Sequence, residues 1–272
     1  MPVITTTDGT QLHVKDWGQG RPVVLIHGWP LNADSWEYQS VKLVEAGYRV
    51  ISYDRRGFGR SDQPWDGYDY DRLADDLAFV IDSLGLEDAT LVGFSMGGGE
   101  VARYMSRHGG GVSQAVFVAS VVPGMLKSDN NPNGITPDVL EQIRVGLRKD
   151  RPAFLTAFFK DFYGQGLRGG VSQPILDWTR DMAMMASPRA TLECVTAFGT
   201  TDFTGDVSRI RVPTLVIHGT GDKTVPIAAT AQRLAKMLPN ARLIEYGGAP
   251  HGLTATHADQ LVEDLLEFLR QA

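Results

Sequence analysis

The sequence predicts an open, doubly wound α/β sheet in which most strands run parallel. Six short runs are apolar almost without interruption: residues 22–26, 48–53, 89–94, 114–119, 213–217 and 241–246. Uninterrupted hydrophobicity indicates burial on both faces, as in a parallel sheet covered by helices. Segments with helical periodicity separate most of these runs, and this strand–helix alternation is typical of the fold class.

The first element is predicted to be a hairpin. Two runs of alternating polar and apolar residues, 3–7 and 11–17, flank Asp8-Gly9. An Asp-Gly pair between such runs is a strong hairpin signal. Helical periodicity then marks four further segments: residues 72–84, 98–108, 230–238 and 257–269.

One long stretch lacks buried strands. Helical patches at residues 137–147, 152–162 and 173–185 are separated there by glycine and proline. We therefore predict a discontinuous core of residues 1–122 and 207–272, with a helical cap insertion at residues 123–206.

Composition excludes several classes of protein. The 272 residues are 43% apolar and 21% charged, unlike a disordered or coiled-coil chain. The net charge is −6 and no basic run occurs, which argues against a nucleic-acid or anionic-membrane partner. The single cysteine, Cys194, cannot form an internal disulfide, so a buried apolar role and a reducing cytoplasm are expected. Neither a signal peptide nor a membrane-spanning segment is expected.

The pentapeptide Gly93-Phe94-Ser95-Met96-Gly97 ends a predicted strand and opens a helical segment. In that context G-x-S-x-G predicts a nucleophile elbow, a sharp turn that presents the serine hydroxyl. The glycines remove side chains that would collide across the turn. The helix N-terminus favours negative charge near Ser95.

A serine nucleophile needs a base, and candidates follow the last two predicted strands. Asp222 lies among glycines beyond residues 213–217, and His251 lies beyond residues 241–246. Both leave the same sheet edge as Ser95, in the order serine, acid, histidine that the elbow requires. We predict that His251 takes the serine proton and that Asp222 orients the imidazole.

Other histidines and acids are weaker candidates. Three histidines lie in the hairpin or on helical segments, where packing or surface roles are common: His13, His108 and His257. His218 ends a strand but is expected to point away from any loop that reaches Ser95. Asp54 precedes Ser95 in the chain, so a structural turn role is expected. Neither a metal-binding motif nor a dinucleotide fingerprint is present.

Two backbone N–H groups are candidate donors to a tetrahedral oxyanion, which acyl transfer requires. The Met96 N–H begins the elbow helix. The second donor is expected in His27-Gly28-Trp29-Pro30, which follows the first buried strand. Pro30 has no N–H, so the donor there is predicted to be Trp29.

Four motifs carry a family resemblance: His27-Gly28-Trp29-Pro30, residues 53–61, residues 91–100 and Ala249-Pro250-His251-Gly252. With them the chain resembles the α/β-hydrolase superfamily over essentially its whole length. Within it, the chain resembles the bacterial non-haem haloperoxidases and the related aryl esterases. The resemblance implies the Ser95–Asp222–His251 triad, the two oxyanion donors, and no metal, haem or other cofactor.

The resemblance also implies an activity. Members hydrolyse small carboxylic esters, and many catalyse perhydrolysis, in which hydrogen peroxide replaces water and the released peracid oxidises halide. The partners implied are thus a small-molecule substrate and peroxide, with a trimer-like homo-oligomer. The haloperoxidase-like members resemble this chain in having a proline at position 30. We hypothesise that Pro30 orients the Trp29 carbonyl toward peroxide.

The resemblance, together with the aromatic residues of the insertion, also predicts an apolar substrate pocket. Its predicted lining is Trp29, Pro30, Phe158, Phe162, Phe198 and Val225. For the phenylalanines, core packing between insertion and sheet is the alternative.

Two other functions fit the same triad: a lactamase that opens a small cyclic amide, and a slow-turnover small-molecule receptor. Related enzymes with an aspartate nucleophile are disfavoured by Ser95.

Overall fold

The structure is a computed structural model that describes residues 3–166 and 169–271. Within these residues eight strands form one sheet. They are β1 (Val3–Thr5), β2 (Gln11–Trp17), β3 (Pro22–Ile26), β4 (Arg49–Tyr53), β5 (Ala89–Phe94), β6 (Val112–Val118), β7 (Thr214–Gly219) and β8 (Ala241–Tyr246).

The strands lie in the order β1-β2-β4-β3-β5-β6-β7-β8. β2 pairs antiparallel with both β1 and β4, and every other neighbouring pair in this order is parallel. The predicted fold class, a mostly parallel sheet with an N-terminal antiparallel hairpin, is confirmed. β3, β5 and β7 are buried at every residue, so the core lies around the central strands.

The helices of the described residues are α1 (Glu37–Glu45), α2 (Tyr70–Ser83), α3 (Met96–Arg107), α4 (Pro137–Phe162), α5 (Gln173–Met184), α6 (Pro188–Thr200), α7 (Thr204–Val207), α8 (Ala231–Met237), α9 (Leu253–Thr256) and α10 (Ala258–Leu269). A 3₁₀ turn spans Ala33–Trp36. α4 to α7 lie between β6 and β7. None of the helices in the described part of the chain is long and apolar enough to cross a bilayer.

The two predicted patches at residues 137–147 and 152–162 form α4, which is broken at Asp150 (φ −159°, ψ 87°). Pro152 cannot donate a backbone hydrogen bond, so the helix does not continue regularly through it. The Asp150 carboxylate accepts the Ala153 N–H at 2.9 Å. Asp150 therefore ends the first half of α4 and caps the second half.

Two expectations need correction. The uninterrupted hydrophobicity of residues 241–246 predicted burial on both faces, but β8 is the edge strand, and Leu243 and Ile244 are only half-buried. An edge strand has one neighbour and less helix cover. The helix α6 was not predicted; it begins at a proline, and the Ser187 hydroxyl accepts the Ala190 N–H at 3.0 Å.

Candidate active site

Ser95 occupies the sharp turn between β5 and α3. Its backbone has φ 54° and ψ −117°, a strained region for a residue with a side chain. A Cβ atom at Gly93 would lie 2.5 Å from the Gly97 carbonyl oxygen, and one at Gly97 would lie 2.6 Å from the Ile26 carbonyl oxygen. The turn therefore closes only because both positions lack a side chain.

Ser95, His251 and Asp222 meet at the carboxyl ends of β5, β8 and β7. The Ser95 Oγ lies 2.9 Å from the His251 Nε2, and the His251 Nδ1 lies 2.6 Å from the Asp222 Oδ2. All three residues are buried. A carboxylate only accepts, so the imidazole proton belongs on Nδ1, and the Nε2 lone pair faces the serine hydroxyl.

Two backbone groups orient the other oxygen of the acid. The N–H groups of Thr224 and Val225 donate to the Asp222 Oδ1 at 2.9 and 2.8 Å. Burial opposes ionisation of Asp222, but electrostatic attraction to the His251 ring and hydrogen bonds from His218 and His251 outweigh burial. They hold the pKa of Asp222 well below its ordinary value. Asp222 is therefore a fixed negative charge beside the imidazole at neutral pH.

Aromatic rings hold His251 from two sides. Phe162 packs edge to face against it with 5.0 Å between ring centroids, and Phe94 lies at 5.3 Å. The Gly252 N–H also donates to the Phe162 carbonyl at 2.8 Å. The end of α4 thus fixes the loop that carries His251.

The two predicted oxyanion donors lie on either side of the serine turn. Met96 is the first residue of α3, where a helix N–H has no intrahelical acceptor. Trp29 lies in the loop after β3, and its peptide bond to Pro30 is cis. Among the described residues, neither N–H donates a hydrogen bond to a protein acceptor. A Cβ atom at Gly28 would lie 3.1 Å from the Ser95 Cβ, so this loop passes directly beside the serine.

A buried ion pair supports the same loop. Arg55 donates from its backbone N–H to the His27 Nε2 at 3.0 Å and from Nη2 to the His27 carbonyl at 2.7 Å. Its Nε donates to the Glu100 carboxylate at 2.6 Å, to which the Tyr53 hydroxyl donates at 2.7 Å. Burial, reinforced by the Arg55 charge, holds the pKa of His27 well below its usual range, so the ring is a neutral acceptor.

The sequence did not predict this support, although Arg55 and Glu100 stand in the motifs that carry the family resemblance. The available signal was Glu100, a charged residue among small and apolar residues at the start of a helix. Asp54 accepts the backbone N–H groups of Ala33 and Arg60 at 2.9 and 2.8 Å, which agrees with the structural role expected for it.

An apolar cavity opens onto the serine. Its lining comprises Trp29, Ser95, Val121, Met125, Ile135, Val139, Leu140, Ile143, Phe158, Phe198, Thr224, Val225 and His251. Four predicted lining residues are among them. Phe162 and Pro30, which were also predicted, are not among these lining residues; the Phe162 ring packs against His251. The first half of α4 and the segment before it were missed, because an apolar helix face gives the same pattern whether it lines a cavity or fills a core.

Comparison with known proteins places the chain in a family. A sequence profile described as "alpha/beta hydrolase fold" matches residues 21–258. The chain belongs to the alpha/beta hydrolase fold family.

Among the relatives of this alpha/beta hydrolase, the non-heme chloroperoxidase CPO-A1 of Kitasatospora aureofaciens is 46% identical over 100% of both chains. The bifunctional esterase/perhydrolase DCH of Acinetobacter calcoaceticus is 41% identical over 99% of this chain and 100% of its own. The crystal structure of a bromoperoxidase from Bacillus anthracis superposes with a TM-score of 0.96 at 46% identity, covering 99% of each chain. The predicted resemblance to the non-haem haloperoxidases is confirmed.

One contact in this alpha/beta hydrolase was not expected. His218 was expected to point away from the loops that reach Ser95, yet its Nε2 lies 3.1 Å from the Asp222 Oδ2. Cys194 is fully buried, and burial raises the pKa of its thiol to about 12, which makes the thiol unreactive at neutral pH.

Proposed function

We propose that the chain is a metal-free serine hydrolase that cleaves small apolar carboxylic esters through an acyl-enzyme on Ser95. One observation carries the proposal. The Ser95 hydroxyl is within 2.9 Å of an imidazole nitrogen whose partner nitrogen is 2.6 Å from an ionised carboxylate. This is the arrangement that activates a serine for attack on a carbonyl carbon.

The proposed reaction has two halves. The Ser95 Oγ attacks the ester carbonyl while the His251 Nε2 takes its proton, and Asp222 stabilises the imidazolium. The tetrahedral oxyanion accepts hydrogen bonds from the N–H groups of Trp29 and Met96. His251 then protonates the departing alcohol oxygen, which leaves the acyl group on Ser95. Water, deprotonated by His251, releases the acid in the second half.

The cavity supports small, uncharged acyl or alcohol groups as substrates. Apart from Ser95 and His251, Thr224 is the polar side chain in its lining. A charged acyl group would lose its hydration there without gaining an oppositely charged partner, which costs on the order of several kcal/mol. We propose that residues 123–206 act as the cap that supplies most of this apolar wall.

We further propose that hydrogen peroxide competes with water for the acyl-enzyme. One peroxide oxygen attacks the acyl carbon, its proton passes to His251, and Ser95 leaves as the alcohol after recovering that proton. The product is a peracid. It leaves the protein and oxidises halide in solution, so the protein needs no redox group of its own for this step. The relatives named as chloroperoxidase and as esterase/perhydrolase support this step. Replacing Pro30 by Leu should lower the ratio of perhydrolysis to hydrolysis.

We also propose that the protein is cytoplasmic and that it forms a homo-oligomer. The single thiol, buried and unreactive, suits a reducing cytoplasm. The resemblance continues to favour a homo-oligomer, which sedimentation of the purified protein would measure.

A paired assay tests the proposed function. Wild type and Ser95→Ala are compared in hydrolysis of p-nitrophenyl acetate and in bromination of monochlorodimedone with acetate, bromide and peroxide. We expect the wild type to do both and Ser95→Ala to do neither, while the control Ser113→Ala keeps both. Hydrolysis without bromination would remove the peroxide step. Activity in Ser95→Ala would overturn the mechanism.

A further inference from the structure

His218 occupies a place in the site that the proposed mechanism does not use. It is the last residue but one of β7 and is 0% exposed. Its Nε2 lies 2.9 Å from the Val225 carbonyl oxygen and 3.1 Å from the Asp222 Oδ2. Its Nδ1 is buried and has no hydrogen-bond partner among the described residues.

These contacts fix where the His218 proton lies. Both groups that face Nε2 only accept hydrogen bonds, since one is a carbonyl and the other is an ionised carboxylate. Nε2 therefore carries the hydrogen, which it donates to the Val225 carbonyl, and the Asp222 Oδ2 lies 3.1 Å from the same nitrogen. A second proton on Nδ1 would be buried without an acceptor, which is costly. His218 is thus a neutral donor with its hydrogen on Nε2.

The donor closes a short turn that contains both the acid and part of the cavity wall. The Asp222 Oδ1 accepts the N–H groups of Thr224 and Val225, while the Val225 carbonyl accepts from His218. Thr224 and Val225 also line the cavity. Without His218, the Val225 carbonyl would be buried without its donor, and the Asp222 Oδ2 would be held by His251 alone.

We propose that His218 is a positioning residue for the acid of the triad. It holds the Asp222 Oδ2 in the plane that meets the His251 Nδ1, and it withdraws part of the negative charge from that oxygen. The inference rests on the proposed function for its effect on turnover, but the tautomer and the hydrogen bond do not depend on that function.

Other charged groups around His218 are engaged elsewhere or face solvent. Glu245 on β8 pairs with His218 in register, and its carboxylate accepts from the Gln232 side chain at 2.9 Å. Lys223 in the turn is exposed. On the β6 side the neighbouring residue is the apolar Ala119. The helix α8, which packs on β7, carries Arg233 and Lys236; the Arg233 guanidinium donates to the Ala229 carbonyl.

The experiment compares His218→Leu with His218→Gln, because the Gln amide nitrogen can occupy the place of Nε2 and the Leu side chain cannot donate. The control is His13→Leu, a histidine of β2 that also has an unpartnered ring nitrogen but lies in the N-terminal hairpin. Four quantities are measured: the rate at which a fluorophosphonate labels Ser95, kcat with p-nitrophenyl acetate, the acid midpoint of the pH profile, and the low-field proton resonance of the His251 Nδ1–H.

We expect His218→Leu to lower the labelling rate and kcat about 10–100-fold, the size of losing a hydrogen bond to a charged group. Its acid midpoint should move to higher pH, because a carboxylate with one donor fewer holds the imidazolium proton more tightly. The low-field resonance should shift. His218→Gln should recover most of the rate, and His13→Leu should match the wild type.

Two results would overturn the inference. One is a His218→Leu enzyme whose labelling rate, acid midpoint and resonance equal those of the wild type. The other is a His218→Gln enzyme as impaired as His218→Leu, since ring shape would then matter instead of donation. If the Leu variant does not fold, ¹⁵N spectra of the wild type decide, because a hydrogen on the His218 Nδ1 contradicts the proposal. Hydrolysis that persists in Ser95→Ala would instead overturn the proposed function and leave the tautomer result standing.

Discussion

Phe162 packs edge to face against the imidazole of His251, with 5.0 Å between the ring centroids. The two residues are far apart in the chain, yet the Phe162 carbonyl also accepts the Gly252 N–H beside His251. The end of α4 therefore holds the proposed base through a side chain and through the backbone. A residue outside the sheet thus contributes to the geometry of the serine–histidine pair.

Replacing Phe162 by Ala should weaken both the fold and the reaction. The fully buried ring would leave a cavity behind His251, so the free energy of unfolding in urea should fall by about 3–5 kcal/mol. Turnover should fall as well, because the imidazole loses the surface that fixes its orientation. The control Phe154→Ala removes a half-buried ring that stacks on Phe158, and it should cost less stability and spare the labelling of Ser95. Equal effects of the two variants would contradict the role given to Phe162.

Replacing Asp222 by Asn should reduce kcat by about 10⁴-fold without unfolding the protein. The backbone N–H groups that donate to Oδ1 require an oxygen at that position. The Asn side chain therefore keeps its amide oxygen there and turns its NH₂ group toward His251 and His218. The imidazole then accepts on Nδ1 and carries its hydrogen on Nε2, where it cannot take the serine proton. Steady-state kinetics measure the loss, with the exposed Asp202→Asn as control. A loss smaller than about tenfold would remove Asp222 from the mechanism.

The depressed pKa of Asp222 predicts a pH dependence of stability. A carboxyl whose folded pKa is lowered stabilises the native state above its unfolded pKa of about 3.9, and this contribution is lost as pH falls through the folded value. The stability difference between wild type and Asp222→Asn should therefore be constant near neutral pH and shrink below about pH 4. Urea unfolding at a series of pH values measures it. A difference that grows toward acid would have the wrong sign.

Replacing Gly97 by Ala should disturb the serine turn. The new Cβ atom would lie 2.6 Å from the Ile26 carbonyl oxygen, and backbone cannot yield there without moving β3 or α3. We expect a loss of about 1–3 kcal/mol in unfolding free energy, as for other overpacked sites, together with slower labelling of Ser95. At Gly110 a Cβ atom would meet nothing within 4 Å, so Gly110→Ala is the matched control and should resemble the wild type.

Replacing Ile143 by Phe should change which esters are accepted. Ile143 lines the cavity from the first half of α4, so a larger ring there shortens the space for the acyl chain. The kcat/KM for p-nitrophenyl hexanoate should fall more than that for the acetate. The extra loss should be roughly 10–200-fold for each acyl methylene that no longer fits in the cavity. Val145→Phe lies on the same half-helix at an exposed position and serves as the control. An unchanged chain-length preference would show that this wall does not contact the acyl group.

The mostly parallel sheet with its N-terminal hairpin could be predicted, because apolar periodicity reports burial and burial follows from strand position. The same pattern placed Ser95, Asp222 and His251 at strand ends on one edge of the sheet. The lining by Leu140 and Ile143 could not be predicted, because cavity walls and packed cores use the same side chains. The contact of His218 with Asp222 was missed for a different reason: the turn after β7 folds back on the strand, and strand periodicity carries no information about such a turn.

The break in α4 at Asp150 separates two short helices that make different contacts at the site. The segment before the break supplies Val139, Leu140 and Ile143 to the cavity. The segment after it presents Phe162 to His251 and adds Phe158 to the cavity lining. Because Asp150 caps the second segment independently, the first can vary in sequence without displacing the base. Part of the selectivity is therefore separable from reactivity in this chain: a graft of residues 137–149 from a relative should change the substrate range, within the limits set by Phe158, while the chemistry at Ser95 stays the same.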